Sequence, residues 1–228
     1  MVGKAKIKNA ARLMAVAFSF FLYAASFEPW GIAECAYVFA VPAILAARSL
    51  FSEIPAPKPP ETAVRRRRRS EPDFPEIPAG GEGVAPQADA RALWLISTFA
   101  FSYAAWAAML AWLRHVYPPA GWIAVLLLPL IISGLFVWPW FALLPGLLPA
   151  LRDDPAKRLL RYGGIAGAWV CLEWLRAHMF TGFPWLLLAH SQWRRPAAIQ
   201  TAEFGGVWMV SFIVIFFNLA AVLSLIHI

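Results

Sequence analysis

An all-α fold, a bundle of about six transmembrane helices with a disordered cytoplasmic loop, is predicted by three features of the 228-residue sequence. Apolar residues make up 61% of the chain and charged residues 14%, against roughly 45–50% and about 25% in an ordinary soluble domain. The charged residues cluster, leaving apolar stretches close to the ~20 residues that a helix needs to cross hydrocarbon about 30 Å thick. Basic residues are also segregated between alternate connections, as in multi-pass membrane proteins.

Six stretches are candidates to span: residues 13–27, 31–47, 92–113, 122–148, 162–180 and 205–226. Helix is the expected form because lipid offers no partner to unpaired backbone groups. The first two are short. The fourth contains Pro129, Pro139 and Pro145; each proline frees a carbonyl, so this span is expected to kink, or to end early with an interfacial piece near Trp138-Pro139-Trp140. The chain thus divides into a first pair of helices (1–51), a loop (52–91) and four further helices (92–228).

Of the 20 basic residues, all but Arg114, Arg176, Arg194 and Arg195 fall in the N-terminus, the second loop or the fourth loop. Lys and Arg in short loops resist translocation, which predicts a multi-pass protein with its N-terminus in the cytoplasm. A cleaved signal peptide is the competing interpretation of the first span, given its basic start and the small residues Ala24-Ala25-Ser26. An uncleaved helix keeps the charge alternation of every later loop. The second loop is rich in proline, carries Arg65 to Arg69, and then turns acidic at Glu71, Asp73, Glu76, Glu82 and Asp89. Such a segment buries too little apolar surface to offset chain entropy and is expected to be disordered. Its arginines act as a stop-transfer cluster, or dock on anionic headgroups. No folded basic surface surrounds them, so nucleic acid is not an expected partner. Cys35 and Cys171 both lie inside apolar runs and form neither a disulfide framework nor a metal-ligand pattern. The four histidines are scattered, and neither a metal nor a cofactor is expected.

The most informative stretch runs from Trp169 to Gln192. Glu173 and Arg176 lie three apart on one helix face and are expected to pair. Glu173 would sit near the bilayer centre, where an unpaired carboxylate is costly. Arg176 either stabilises the bundle through that pair or faces a lipid phosphate or an acidic substrate group. Thr181, Gly182, Phe183, Pro184 and Trp185 then end the helix: glycine permits a left-handed backbone and proline prevents continuation. The aromatic rings of Phe183 and Trp185 suit the headgroup level. Ser191 and Gln192 follow on the outer side. Neighbouring His190 and Ser191 make a poor nucleophilic pair, having no acidic orienter nearby.

The order Glu173, Leu175, Arg176, then Thr181 to Leu186, then Ser191-Gln192, then Gly206 to Phe212 resembles the membrane half of apolipoprotein N-acyltransferase. Phe27 to Trp30, Trp106 and Trp112 to Arg114 agree more loosely, so the resemblance is strong from about Trp169 to Asn218. The chain departs from the family's pattern at Ala177 and at Ala189-His190. The resemblance implies a phospholipid acyl donor and a lipoprotein acceptor: an external cysteine takes the acyl group as a thioester and passes it to the N-terminal cysteine amine of the lipoprotein. It further implies one more helix, a nitrilase-like external domain with a Glu-Lys-Cys triad, and a final helix. None of these occurs in the sequence, which stops within an apolar run at residues 223–228. A truncated reading frame is therefore expected, with no catalytic residue in this part.

On this basis Glu173, Arg176, Thr181, Gly182, Phe183, Pro184, Trp185, Ser191 and Gln192 are the candidates to face substrate or lipid, and the expected role is to anchor the enzyme and shape lipid access. The alternatives are a small transporter and a scaffold for a separately encoded partner. A transporter would want inward ionisable residues in several spans or an inverted repeat. Beyond Glu34, Glu173 and Arg176 the spans offer few, and no internal repeat is evident.

Overall fold

A computed structural model describes residues 2–51, 85–116, 118–150 and 153–227. The arginine-rich part of the second loop lies outside the described residues.

The first helix, α1 (Val2–Ala25), buries Arg12, Val16, Ser19, Phe20 and Tyr23 at helical spacing, while Met14, Phe18 and Phe21 face outward. It stops where the Ser26 hydroxyl donates to the Tyr23 carbonyl at 2.7 Å and Gly31 adopts a left-handed φ of 60°. A 3-10 turn (Ala33–Tyr37) leads into α2 (Val41–Phe51), so the stretch expected as one continuous span at 31–47 is broken near its start. The backbone there is completed from far away. Asn218 accepts from the Ala40 N–H at 2.9 Å and donates to the Ala36 carbonyl at 2.8 Å. Two bonds show that α1 and α2 run antiparallel: Arg12 Nε to Ser49 Oγ at 2.9 Å near one end, and Ala43 N–H to Ser19 Oγ at 2.9 Å deeper in.

The third helix, α3 (Ala85–Met109), begins within the stretch expected to be loop. After a short helical turn (Leu113–Val116) come α4 (Pro118–Ile132), a π-helical turn (Ser133–Val137) and α5 (Trp138–Leu147). The proline-bearing span therefore continues through a local widening at the π-helical turn, and Trp138-Pro139-Trp140 lies in the first turn of α5 and not in a separate interfacial piece. Trp140 is buried, its indole donating to the Ile165 carbonyl at 2.9 Å. Pro145 has no N–H to offer the carbonyl four residues earlier, Phe141. The buried Trp94 indole on α3 supplies that donor at 3.0 Å. Trp94→Phe removes it and leaves the carbonyl unpaired in an apolar core. Thermal unfolding in detergent is expected to show a loss of about 1–3 kcal/mol, and an unchanged midpoint would contradict this account of the proline.

Helix α6 (Pro155–His178) starts at Asp154, whose carboxylate accepts from the Ala156 and Lys157 N–H groups, with Pro155 in the first turn. The last helix, α7 (Ala202–His227), has non-helical backbone at Gly205 and Gly206, where Gly206 has φ 64°. Around the ring, α1 packs on α2 and α3, α3 on α4 and α5, α5 on α6, α6 on α7, and α7 and α5 on α2. At the centre, the Trp169 ring lies 5.3 Å from Trp140, 5.8 Å from Phe39 and 6.1 Å from Tyr23.

Five stretches among the described residues are helical, long and apolar enough to cross a membrane: Lys6–Ala25, Ala33–Leu50, Asp89–Val116, Ala120–Leu147 and Ala202–Ile226. The sixth expected span, 162–180, falls mostly within α6 and is not among them. At 24 residues that helix is about 36 Å long, enough to cross. Lys157, Arg158, Arg161, Glu173 and Arg176 hold its hydropathy down. The distribution of side chains is that of a bundle solvated by lipid: Ser19, Thr98, Ser102, Ser133, Ser211 and Asn218 are fully buried, whereas Met14, Phe21, Ile96 and Leu126 face outward.

Candidate functional site

The turn after α6 is dictated by its residues. The Gly182 N–H donates to the Met179 carbonyl, and the Phe183 N–H reaches back to the Arg176 carbonyl, both at 2.9 Å. Gly182 has φ 74°, and a Cβ there would lie 2.6 Å from the Ala177 carbonyl oxygen, so only glycine fits. From this turn the chain folds back into a loop ending in a 3-10 turn at Leu188–Gln192.

Nearly every polar residue singled out by the sequence grips that loop. Glu173, almost fully buried, accepts from the Leu188 N–H through Oε1 at 2.7 Å. Arg176, equally buried, donates to the carbonyls of Trp185 at 3.1 Å and Leu186 at 3.2 Å, and its guanidinium lies 4.7 Å over the Trp106 ring. The two side chains do not form an ion pair; the expected pairing is replaced by two separate clasps on one loop. Spacing of three brings two side chains to one face, but backbone groups of the returning loop satisfy each of them more directly. Ser211 of α7 accepts from the Ala189 N–H at 3.1 Å. Ser191 donates to the Leu188 carbonyl at 2.6 Å, and Gln192 donates to the Ala33 carbonyl at 3.0 Å, tying the loop to the turn before α2. Outside this buried set, Arg195 pairs with Glu34, and Arg194 with Glu28 at 3.2 Å, across the same two segments.

The end of α6 and the turn that follows it form one wall of a cavity of about 360 Å³. Arg176, Thr181, Gly182 and Phe183 line that wall, and Leu128, Ile132 and Phe136 are among the residues opposite. Pro184 and Trp185 lie outside the cavity and are exposed; Trp185 packs against Trp112 with ring centroids 5.7 Å apart. Ser191 and Gln192 are buried away from it and act on the loop's shape. Desolvation and the Arg176 charge hold the His190 imidazole below its usual range. No cluster of three or more metal-ligating side chains exists among the described residues.

Sequence reasoning missed the apolar wall from α4 and the π-helical turn, and the role of Asn218. Trp106 and Ser211 belong to the stretches that carried the family resemblance, but their contacts with Arg176 and with the loop were not foreseen. The signal available was their type: a serine and an asparagine inside an otherwise apolar helix need a partner.

A polytopic membrane protein in which buried polar residues of two helices clasp a returning loop is the class defined by this fold and site. The chain belongs to the apolipoprotein N-acyltransferase N-terminal domain family, whose model matches residues 84–220. Among similar proteins, the apolipoprotein N-acyltransferase of Rhodopirellula baltica is 34% identical over 56% of this chain and 23% of its own length. That of Geobacter metallireducens is 32% identical over 53% of this chain and 23% of its own. That of Chromobacterium violaceum is 33% identical over 54% and 24%. The matched part thus spans about a quarter of these relatives.

Proposed function

We propose that this chain is the membrane-embedded part of an apolipoprotein N-acyltransferase, that it anchors the enzyme in the bacterial inner membrane with its N-terminus in the cytoplasm, and that it shapes the entry of the phospholipid donor without itself transferring the acyl group. The single observation that carries the reading is the convergence of the family's polar residues on the loop beside the 360 Å³ cavity. Its walls are apolar except for the Arg176 guanidinium and Thr181, a lining suited to an acyl chain entering beside a polar headgroup. Rigid support of the loop matters for such a role, since a loop held from three sides presents one shape to each incoming lipid.

Neither thiol suits the thioester step that the family reading requires. Cys35 sits in the Ala33–Leu50 span and Cys171 on α6, both within the helical bundle and not in an external segment. Two measurements on the purified chain in lipid nanodiscs test the proposal. A phospholipid with a photoreactive acyl terminus is expected to label residues 128–136 and 179–183, and Thr181→Trp, which fills the cavity mouth, to cut that labelling severalfold. Incubation with a diacylated lipopeptide is expected to leave its N-terminal amine free. Labelling spread evenly over all helices would overturn the lipid-entry role, and N-acylated product would overturn the non-catalytic one.

A further inference from the structure

Lipid entry beside the clasped loop leaves open what ends the cavity. Helix α6 packs closely against the π-helical turn (Ser133–Val137) and against α5, but not against α4 (Pro118–Ile132). The two helices therefore part from the π-helical turn onward, and the cavity of about 360 Å³ lies where they part. Thr181 and Gly182 line it on one side, Leu128 and Ile132 on the other. Among the lining residues Phe136 is the furthest along this span, about 12 Å from Leu128 at 1.5 Å per residue. It also belongs to the turn that meets α6.

Phe136 is backed by fixed structure. Its side chain is buried, whereas Ile131 and Leu135 beside it are 44% and 52% exposed, so the cavity opens sideways toward lipid and ends against the phenyl ring. The turn that carries the ring is anchored on its other flank. There the Ser133 hydroxyl donates to the Ser102 hydroxyl of α3 at 2.8 Å, and neither serine has exposed surface. Pro139 supplies no N–H to this turn, and the Trp138 N–H closes it on the Ser133 carbonyl. π-Helical turns of this kind occur frequently at functional sites.

We infer that Phe136 is a specificity-determining residue that sets the length of acyl chain the cavity accepts, the methyl end of the chain stopping against its ring. The inference rests on the lipid-entry reading and deepens it. A longer chain must leave sideways past Ile131 and Leu135 and give up contact with the wall. One methylene in an enclosed apolar pocket changes discrimination roughly 10–200-fold. The side opening makes the effect smaller here, because an overlong chain still reaches lipid.

Competition in detergent tests it on the full chain. A phospholipid with a photoreactive acyl terminus labels the cavity, and dilauroyl- or distearoyl-phosphatidylglycerol displaces it; the ratio of their half-displacing concentrations is the readout. That ratio does not depend on the folded fraction, so a destabilised variant remains informative. Phe136→Ala is expected to shift the ratio at least threefold toward the stearoyl lipid, and Phe136→Trp at least threefold toward the lauroyl lipid. Leu130→Ala, on the same helix but exposed and outside the lining, is expected to leave it unchanged. Labelling and displacement with one ratio in the parent and both Phe136 variants would overturn the chain-length role alone. A shift as large in Leu130→Ala would do the same. Absence of cavity labelling in the parent would overturn the lipid-entry reading and this inference with it.

Discussion

Arg176→Ala is expected to destabilise the protein by about 3–5 kcal/mol, since two buried carbonyls lose their donor at about 1–3 kcal/mol each and a large buried side chain is removed. The change leaves the Trp185 and Leu186 carbonyls without their donor, opens space against Trp106 and leaves the Glu173 carboxylate buried without a nearby positive charge. Against a typical stability of ~5–15 kcal/mol, the variant would unfold at much lower temperature. Arg176→Lys keeps the charge, but a point-like ammonium cannot serve both carbonyls and stack on the indole as a planar fork does, so an intermediate loss is expected. Glu173 supplies the control. Glu173→Gln can still accept from Leu188, whereas Glu173→Ala cannot, and the alanine variant is expected to lose clearly more. Because both residues hold the same loop, the double alanine variant should cost less than the sum of the two single ones. Calorimetric or fluorescence melts in one detergent measure all five variants. An Arg176→Ala midpoint equal to the parent's would remove the clasp from the account.

Asn218→Leu is expected to cost about 2–4 kcal/mol, the second largest effect. Fully buried on α7, Asn218 completes the backbone where the 3-10 turn passes into α2: its amide accepts from Ala40, and donates to Ala36 and, at 2.8 Å, to Val214. Leucine has the same number and branching of side-chain heavy atoms and is somewhat bulkier, so no cavity is left, while the Ala40 N–H and Ala36 carbonyl lose their partner in apolar surroundings. Within membranes single bonds of this kind average nearer 0.6 kcal/mol with a maximum near 1.7, which argues for the lower half of the range. The expected signature is specific: Cys35, at the edge of this turn, becomes more reactive to a membrane-permeant maleimide as α2 loosens. Unchanged labelling together with an unchanged melt would show that the turn is held by its other contacts.

The two residues differ in how visible they were beforehand. Glu173 and Arg176 stood out because charge in an apolar stretch is costly and must be satisfied. Spacing alone suggested that they satisfy each other, but their partners are backbone groups 9 to 15 residues further on. Asn218 pairs with residues 178 and 182 positions away, and nothing local marks such a partner. Thr181, Gly182 and Phe183 were placed correctly at a turn, because glycine and proline act on their immediate neighbours. That they would wall a cavity with α4 depended on how the returning loop meets a helix about 50 residues earlier.

The sequence by itself determined the helical class, the apolar stretches and the family motif, since each depends on composition or on residues within a few turns of one another. Hydropathy measures the cost of moving a segment from water to lipid, and that cost is local. Only the tertiary structure decided that Glu173 and Arg176 clasp a loop, that Trp94 repairs the carbonyl freed by Pro145, and that the second span is broken before α2. A buried donor or acceptor takes whichever partner folding brings within hydrogen-bond reach, and that proximity is a property of the packed bundle.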